Sequence, residues 1–300
     1  LFKKQKLLSS FIIFLSLNAQ AMVLEKAPII LDAPWGLTWI DHDQILITQK
    51  SGEIFLVDTN SFTQSEINHD IPSVQFGQGG LLDITSEENM VWVTCSIKKK
   101  GKYTTAVFQG ELEGNNLINT KLIYEALPYI SSSKHFGSRI EIMGDYLYVS
   151  IGERGKGMIA QDTSNSIGSI IRLHKDGDMP KDNPYQDKDD WLPELYQIGV
   201  RNPQGMSLDP LTNTIFISNH GPKGGDEINI IKPGKNYGWP IITYGINYSG
   251  TIITNKTSKD GMEQPLYYWV PSIAPSDITV YKEDLFPEWK NNIFISALSP

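Results

Sequence analysis

Residues 44–58 read "QILITQKSGEIFLVD". Two runs of Ile, Leu, Val and Phe flank Lys50-Ser51-Gly52-Glu53. β-Branched and aromatic residues favour strands, and a short polar stretch containing Gly between two such runs marks a hairpin. The same order of turn residue, apolar segment and small polar residues returns at "NMVWVTCSI" (89–97), "DYLYVSIGERG" (145–155), "NTIFISNHGP" (213–222) and "NNIFISALSP" (291–300). Helical periodicity is scarce. The spacing between starts grows from about 45 to nearly 80 residues, as in a repeat with lengthening loop insertions. A β unit recurring at tens of residues predicts a propeller, whose blades pack both faces on neighbours and so carry more apolar residues than simple alternation. An immunoglobulin-like sandwich would need more even spacing and shorter loops. No linker or composition break divides the chain.

Lys3, Lys4 and Lys6 precede the apolar run Leu7–Leu17, which ends in Ala19-Gln20-Ala21. A basic start, an apolar run too short to span a bilayer and an A-x-A site predict a secretory signal over residues 1–21. The mature domain is then 22–300, periplasmic or secreted, with no membrane span left. It carries 23 basic and 34 acidic side chains, a net charge of −11. Such a surface argues against a nucleic-acid partner, which requires a basic face. Cys95 is alone, so the chain holds no internal disulfide, and its strand-like flanks predict a buried thiol. "KKKGK" at 98–102 reads as a solvated hairpin tip, and residues 249–264 as a polar surface loop.

Chemistry-bearing residues follow the apolar runs. Gln78 stands among Gly77, Gly79 and Gly80 in "FGQGGLLDI", where the backbone can turn or approach a ligand closely. His135 precedes one strand-like segment and Glu153 follows the next; eighteen residues apart, they suit one rim of an antiparallel pair. A carboxylate can orient a histidine as a general base; a lone exposed histidine is the plainer alternative. Arg201-Asn202 precede Pro203, which biases Asn202 towards extended backbone. Arg201 offers fixed donors to an anionic oxygen, or to a surface acid. In "NHGPKGGDEINIIKPGKNYGWP" (219–240), Gly221-Pro222 can leave carbonyls unpaired, Glu227 adds a carboxylate, and glycine turns bring Tyr237 back towards it. Oxygen ligands suit a hard cation such as Ca²⁺, while a metal-free structural loop stays equally open.

The segments "GQGGLLDI", "HFGSRI…YLYVSIGERG", "YQIGVRNPQGMSLDP", "NHGPKGGDEINIIKPGKNYGWP" and "FPEWKNNIFISAL" occur in order, within matches covering nearly all of residues 33–298. As a set they resemble the soluble quinoprotein aldose sugar dehydrogenases of the glucose/sorbosone dehydrogenase family. The resemblance implies an all-β, six-bladed β-propeller that binds pyrroloquinoline quinone (PQQ) and Ca²⁺ and oxidises the C1 hydroxyl of aldoses to the lactone. Electrons would pass to an external acceptor, a quinone or a redox protein. By position, His135 matches the catalytic base held by Glu153, and Arg201 the residue that stabilises charge on the quinone oxygen. Gln78, Asn202 and Tyr248 match cofactor contacts. Gly221 and Pro222 match the carbonyls at the cofactor-side Ca²⁺, and Glu227 and Tyr237 ligands of a second, structural Ca²⁺.

Three departures stand out. Glu153 replaces the family's usual Asp and is one methylene longer. Ala297-Leu298-Ser299 occupies a stretch where a Lys or similar donor often faces PQQ. The family continues through a further blade whose arginines pair with PQQ carboxylates, so the expectation is a C-terminally truncated propeller with about five blades present. Two rival functions remain: a calcium-dependent lactonase, and a non-catalytic propeller that binds sugar or cofactor.

Overall fold

The five recurrent runs form the second strands of five sheets. In the computed structural model, residues 26–299 are described; the expected signal at 1–21 lies outside them. The first sheet is β1 (Pro34–Trp39), β2 (Gln44–Gln49), β3 (Ile54–Asp58) and β4 (Gln64–Ile67), in that spatial order. The second is β5 (Leu81–Glu87), β6 (Met90–Lys99), β7 (Lys102–Glu113) and β8 (Asn116–Glu125). The third contains β9 (Gly137–Met143), β10 (Tyr146–Ile151), β11 (Ser169–His174) and β12 (Leu195–Ile198). The fourth contains β13 (Pro203–Asp209), β14 (Thr214–Asn219) and β15 (Asp226–Ile230). Next in the chain, β16 (Lys235–Asn236) returns to pair parallel with β12, and β17 (Tyr267–Trp269) completes the fourth sheet. The fifth is β18 (Pro275–Val280) with β19 (Ile293–Ala297).

Apolar cores lie between successive sheets. Leu46 and Ile54 of the first pack with Leu81, Val93 and Cys95 of the second. Trp92 and Val107 meet Leu147, Val149 and Ile171 of the third. Tyr148 and Ile170 meet Met206 and Ile217 of the fourth. The Cys95 thiol is buried and free, and burial pushes its pKa up. The described residues hold two short 3₁₀ turns and no helix long and apolar enough to cross a membrane.

The all-β propeller expectation holds, but the expected number of blades does not. Four blades of four or five strands are present, with a fifth sheet of two strands. A recurrent run marks one strand of a blade, not the whole blade. The outer strands of a blade follow its second strand, and after β19 only Leu298 and Ser299 are described.

The first strand of each sheet lines the central axis, where Arg139 of β9 reaches every sheet. Its guanidinium stands 4.2 Å over Trp35 and donates to Asp83 Oδ1 at 3.0 Å. It also donates to the Gln204 carbonyl at 2.5 Å and the Ser276 carbonyl at 3.2 Å, and pairs with Asp277 at 3.4 Å.

Candidate active site

The antiparallel register decides which loops meet. Gly137 pairs with Ile151 at one end of β9–β10, which places His135 and Glu153 side by side. The connection between β12 and β13 arrives at the same end, where the Glu153 amide donates to the Arg201 carbonyl at 2.8 Å. The loop after β14 adds Gly221 and Pro222. His135, Glu153, Arg201, Pro222, Trp239 and Tyr248, together with Gln78, line one open cleft of about 530 Å³.

His135 is held from several directions. It is a non-glycine residue in the left-handed region, φ +54°, an uncommon conformation that surrounding contacts must fix. Its amide donates to Gln78 Oε1 at 2.6 Å. Its carbonyl lies against Gly152, where an added Cβ would sit 2.1 Å from the oxygen, so only glycine fits there. Arg154, fully buried, stacks on the Phe136 ring at 3.4 Å and donates to the carbonyls of Lys134, at 2.9 Å, and Ser132. A buried arginine without a carboxylate partner clamps the loop that carries the histidine. In the sequence this residue looks like any surface arginine, and nothing in its pattern announces the role.

The His135 ring hydrogen-bonds through Nδ1 to Glu153 Oε1, so the longer side chain still reaches. Burial works to raise the Glu153 pKa. The His135 hydrogen bond and charge, the Gly157 amide at 2.5 Å and the charge of Arg201 outweigh it and hold the carboxyl below its usual value. Glu153 is therefore an ionised acceptor, which places the proton on Nδ1 and leaves the Nε2 lone pair free. Burial, helped by Arg201, lowers the His135 pKa despite the pairing with Glu153. The imidazole is neutral near pH 7, with Nε2 available as a base. Arg201 is buried and lies 5.4 Å from the Trp239 ring.

Other candidates sit differently. Asn202 is buried and turned into the protein, its Oδ1 accepting the Gly137 amide at 3.1 Å. The Gly221 carbonyl, expected to be unpaired, accepts Arg201 Nη1 at 2.7 Å, because the loop folds back over the guanidinium. Tyr237 does not turn towards Glu227. Its ring packs with the core around Tyr148, and its hydroxyl donates to the Ile230 carbonyl. Glu227 accepts Asn229 Nδ2 at 3.0 Å, and burial pushes its carboxyl up to about 7. Ala297 pairs with Pro275 at the end of β19, and Leu298 and Ser299 bond to the carbonyls of Ala274 and Ile273. None of these three lines the cleft. Trp239 and Lys134 do line it without having been singled out as site residues.

A model of the Glucose / Sorbosone dehydrogenase family matches residues 31–300. Aldose sugar dehydrogenase YliI of Escherichia coli (strain K12) is 37% identical over 281 residues, covering 89% of this chain and 76% of that protein. The apo-form crystal structure of the soluble aldose sugar dehydrogenase from Escherichia coli superposes with a TM-score of 0.86 at 36% identity, covering 89% of this chain and 81% of the other. The PQQ-bound aldose sugar dehydrogenase of Streptomyces coelicolor gives a TM-score of 0.74 at 25% identity, over 92% of this chain and 78% of the other. The chain belongs to the glucose/sorbosone dehydrogenase family.

Proposed function

We propose that the chain is an exported aldose dehydrogenase that oxidises the sugar C1 hydroxyl to the lactone, using PQQ and Ca²⁺. The observation that carries this reading is the buried His135–Glu153 pair opening onto the same cleft as Arg201. The cleft residues suit a planar, anionic quinone. Pro222, Trp239 and Tyr248 offer flat apolar surface, Arg201 supplies cationic donors, and the buried Trp239 indole N–H has no hydrogen-bond partner. Among the described residues no group of three or more His, Cys, Asp or Glu gathers as a metal cluster. Calcium would therefore rest largely on carbonyl oxygens, those of Gly221 and Pro222 beside the cleft. The Gly221 carbonyl would use the lone pair that Arg201 leaves free. At the second position, Glu227 has a carboxyl raised by burial, and the Asn229 Oδ1 beside it is buried without a partner; a cation would satisfy both. Tyr237 could contribute there only through its carbonyl.

In this reading His135 Nε2 takes the proton of the C1 hydroxyl. Nδ1–H stays on Glu153, whose charge stabilises the imidazolium that forms. Arg201, itself buried, presents fixed positive charge where negative charge develops. PQQ, when bound, supplies the carbon that accepts the C1 hydride, and Ca²⁺ the Lewis acid that polarises it.

Aldose-dependent dye reduction should require PQQ and Ca²⁺ together. His135→Ala should lower kcat by roughly 10²–10⁴, the usual contribution of a general base, while PQQ binding measured by titration persists. Unchanged kcat in that variant, or full activity with NAD and no quinone, would contradict the proposal.

A further inference from the structure

The chain direction sorts charge onto two ends of the propeller. Within each sheet the first strand starts at the cleft end and the second returns to it. The turns between first and second strands therefore all lie at the far end. Those turns carry exposed acids, among them Asp41, Asp43, Glu87, Glu88, Asp145 and Glu283. Several lysines at that end are paired, Lys175 with Glu87, Lys282 with Asp209 and Lys290 with Asp284, while Lys181 and Lys188 of the β11–β12 loop are exposed and form no ion pair among the described residues.

The cleft end differs. The β6–β7 hairpin turns there and presents Lys98, Lys99, Lys100 and Lys102, all exposed. Lys134 and Lys156 stand exposed on the neighbouring loops. Among the described residues none of these six forms an ion pair. The tip is also held in place. Lys98 Nζ lies over the Tyr103 ring and Lys99 Nζ over the Tyr129 ring, each at 5.7 Å. Tyr103 stacks on Phe76 at 4.1 Å, two residues from the cleft-lining Gln78. A chain of net charge −8 thus keeps a fixed, unneutralised cationic rim beside its cleft. The tip lysines stand outside the cleft, so they suit a surface that docks against the rim better than a small anion inside it.

We propose that this rim, centred on Lys98–Lys102, docks an acidic one-electron redox protein that serves as electron acceptor. The inference rests on the dehydrogenase reading. Oxidising an aldose to its lactone breaks the C1–H and O–H bonds and releases two electrons and two protons. Two acceptor proteins are each reduced by one electron, and the protons pass to water. Complementary charge speeds such encounters and orients them, which places the acceptor's redox centre over the cleft mouth.

The test uses oxidised plastocyanin, an acidic copper protein, titrated into the protein by calorimetry with and without PQQ and Ca²⁺. The comparison variant carries Lys99→Glu, Lys100→Glu and Lys102→Glu, positions that do not line the cleft. At low ionic strength, charge reversal should raise the Kd at least about tenfold, and high salt should remove the difference, because exposed charges are screened beyond about 10 Å at 0.1 M. The triple Lys→Gln variant should fall between. Reduction of a small neutral dye should be the same in all three proteins. Equal affinity of wild type and reversed variant, or preference for the basic cytochrome c, would overturn the proposal. So would binding to phosphatidylglycerol vesicles with no affinity for plastocyanin, which would assign the rim to a lipid surface. Absence of aldose-dependent dye reduction in the wild type would instead bring down the dehydrogenase reading itself.

Discussion

Two buried carboxylates, each bonded to a basic side chain on or beside β9, behave in opposite ways. At the rim, Glu153 accepts from His135 and is held below its usual pKa. On the axis, Asp83 accepts from Arg139 at 3.0 Å, yet burial raises its pKa and Arg139 only partly offsets that. The difference is in the company each carboxylate keeps. Each also accepts a backbone amide, Gly157 at 2.5 Å for Glu153 and Ile140 at 3.0 Å for Asp83, but Glu153 has the positive Arg201 nearby as well. Asp83 shares one guanidinium with Asp277, and Glu141 lies close enough to feel its charge. All three of these axial carboxyls are raised, Glu141 to about 7. The rim pair is arranged to keep one histidine neutral and aimed. The axial cluster joins five sheets through one arginine and bears a charge it does not fully neutralise.

The comparison is broken most forcefully by removing one member of each pair in turn. Arg139→Met leaves Asp83 buried without its partner, which should cost about 3–5 kcal/mol of stability. Chemical denaturation would read this, and the double variant Asp83→Asn/Arg139→Met should recover much of the loss, because it removes the stranded charge as well. If Arg139→Met melts like the wild type, the arginine does not join the sheets.

Glu153→Gln should act on chemistry and leave folding nearly alone. It removes the charge that stabilises the His135 imidazolium. With PQQ and Ca²⁺ bound, kcat should fall towards the lower end of the roughly 10²–10⁴ contribution of a general base. Because Glu153 raises the His135 pKa, its loss should also move the acid limb of the kcat/KM profile to lower pH. A limb that stays in place or moves up would show that Glu153 does not govern the histidine.

The smallest effect concerns Glu141. Its folded pKa is raised from 4.5 to about 7, so the folded state binds more protons than the unfolded one between those values. Its contribution to stability is present below pH 4.5 and is lost as pH rises to about 7. Glu141→Gln should therefore raise the melting temperature at pH 8 relative to wild type and do so less at pH 5. The two differences should separate by several degrees, since about 1 kcal/mol shifts the melting temperature of a domain of this size by roughly 2–4 °C. Parallel melting curves at both pH values would remove Glu141 from the axial cluster.

Much of the rim was legible in the residues, and the axis was not. The eighteen-residue separation of His135 and Glu153 matches one antiparallel turn, so topology alone brings them together. The Gly-Pro loop at 221–222 reached the cleft as its position after a strand implied. Arg139 sits in "SRIEI", an ordinary strand pattern, and its reach to Trp35, Gln204 and Asp277 depends on how far the strands lie from the axis. Sequence spacing does not record that distance. Asn202 and Tyr237 carry side chains that suit a ligand, but the structure spends them on a backbone amide and a backbone carbonyl. The blade number was misjudged for a related reason. Outer strands such as β4, β12 and β16 are only two to four residues long, and β16 joins a sheet from which the whole of β13–β15 separates it in the chain.

The account turns on a neutral His135 whose Nε2 can accept a proton. Isotope-edited NMR titration of the His135 ring reads that state directly, without cofactor or sugar. The expected result is a pKa below the ordinary 6.5, with the proton of the neutral ring on Nδ1. A pKa above that value, or a neutral ring protonated at Nε2, would contradict it, because the histidine would then have no free lone pair to offer the sugar near pH 7.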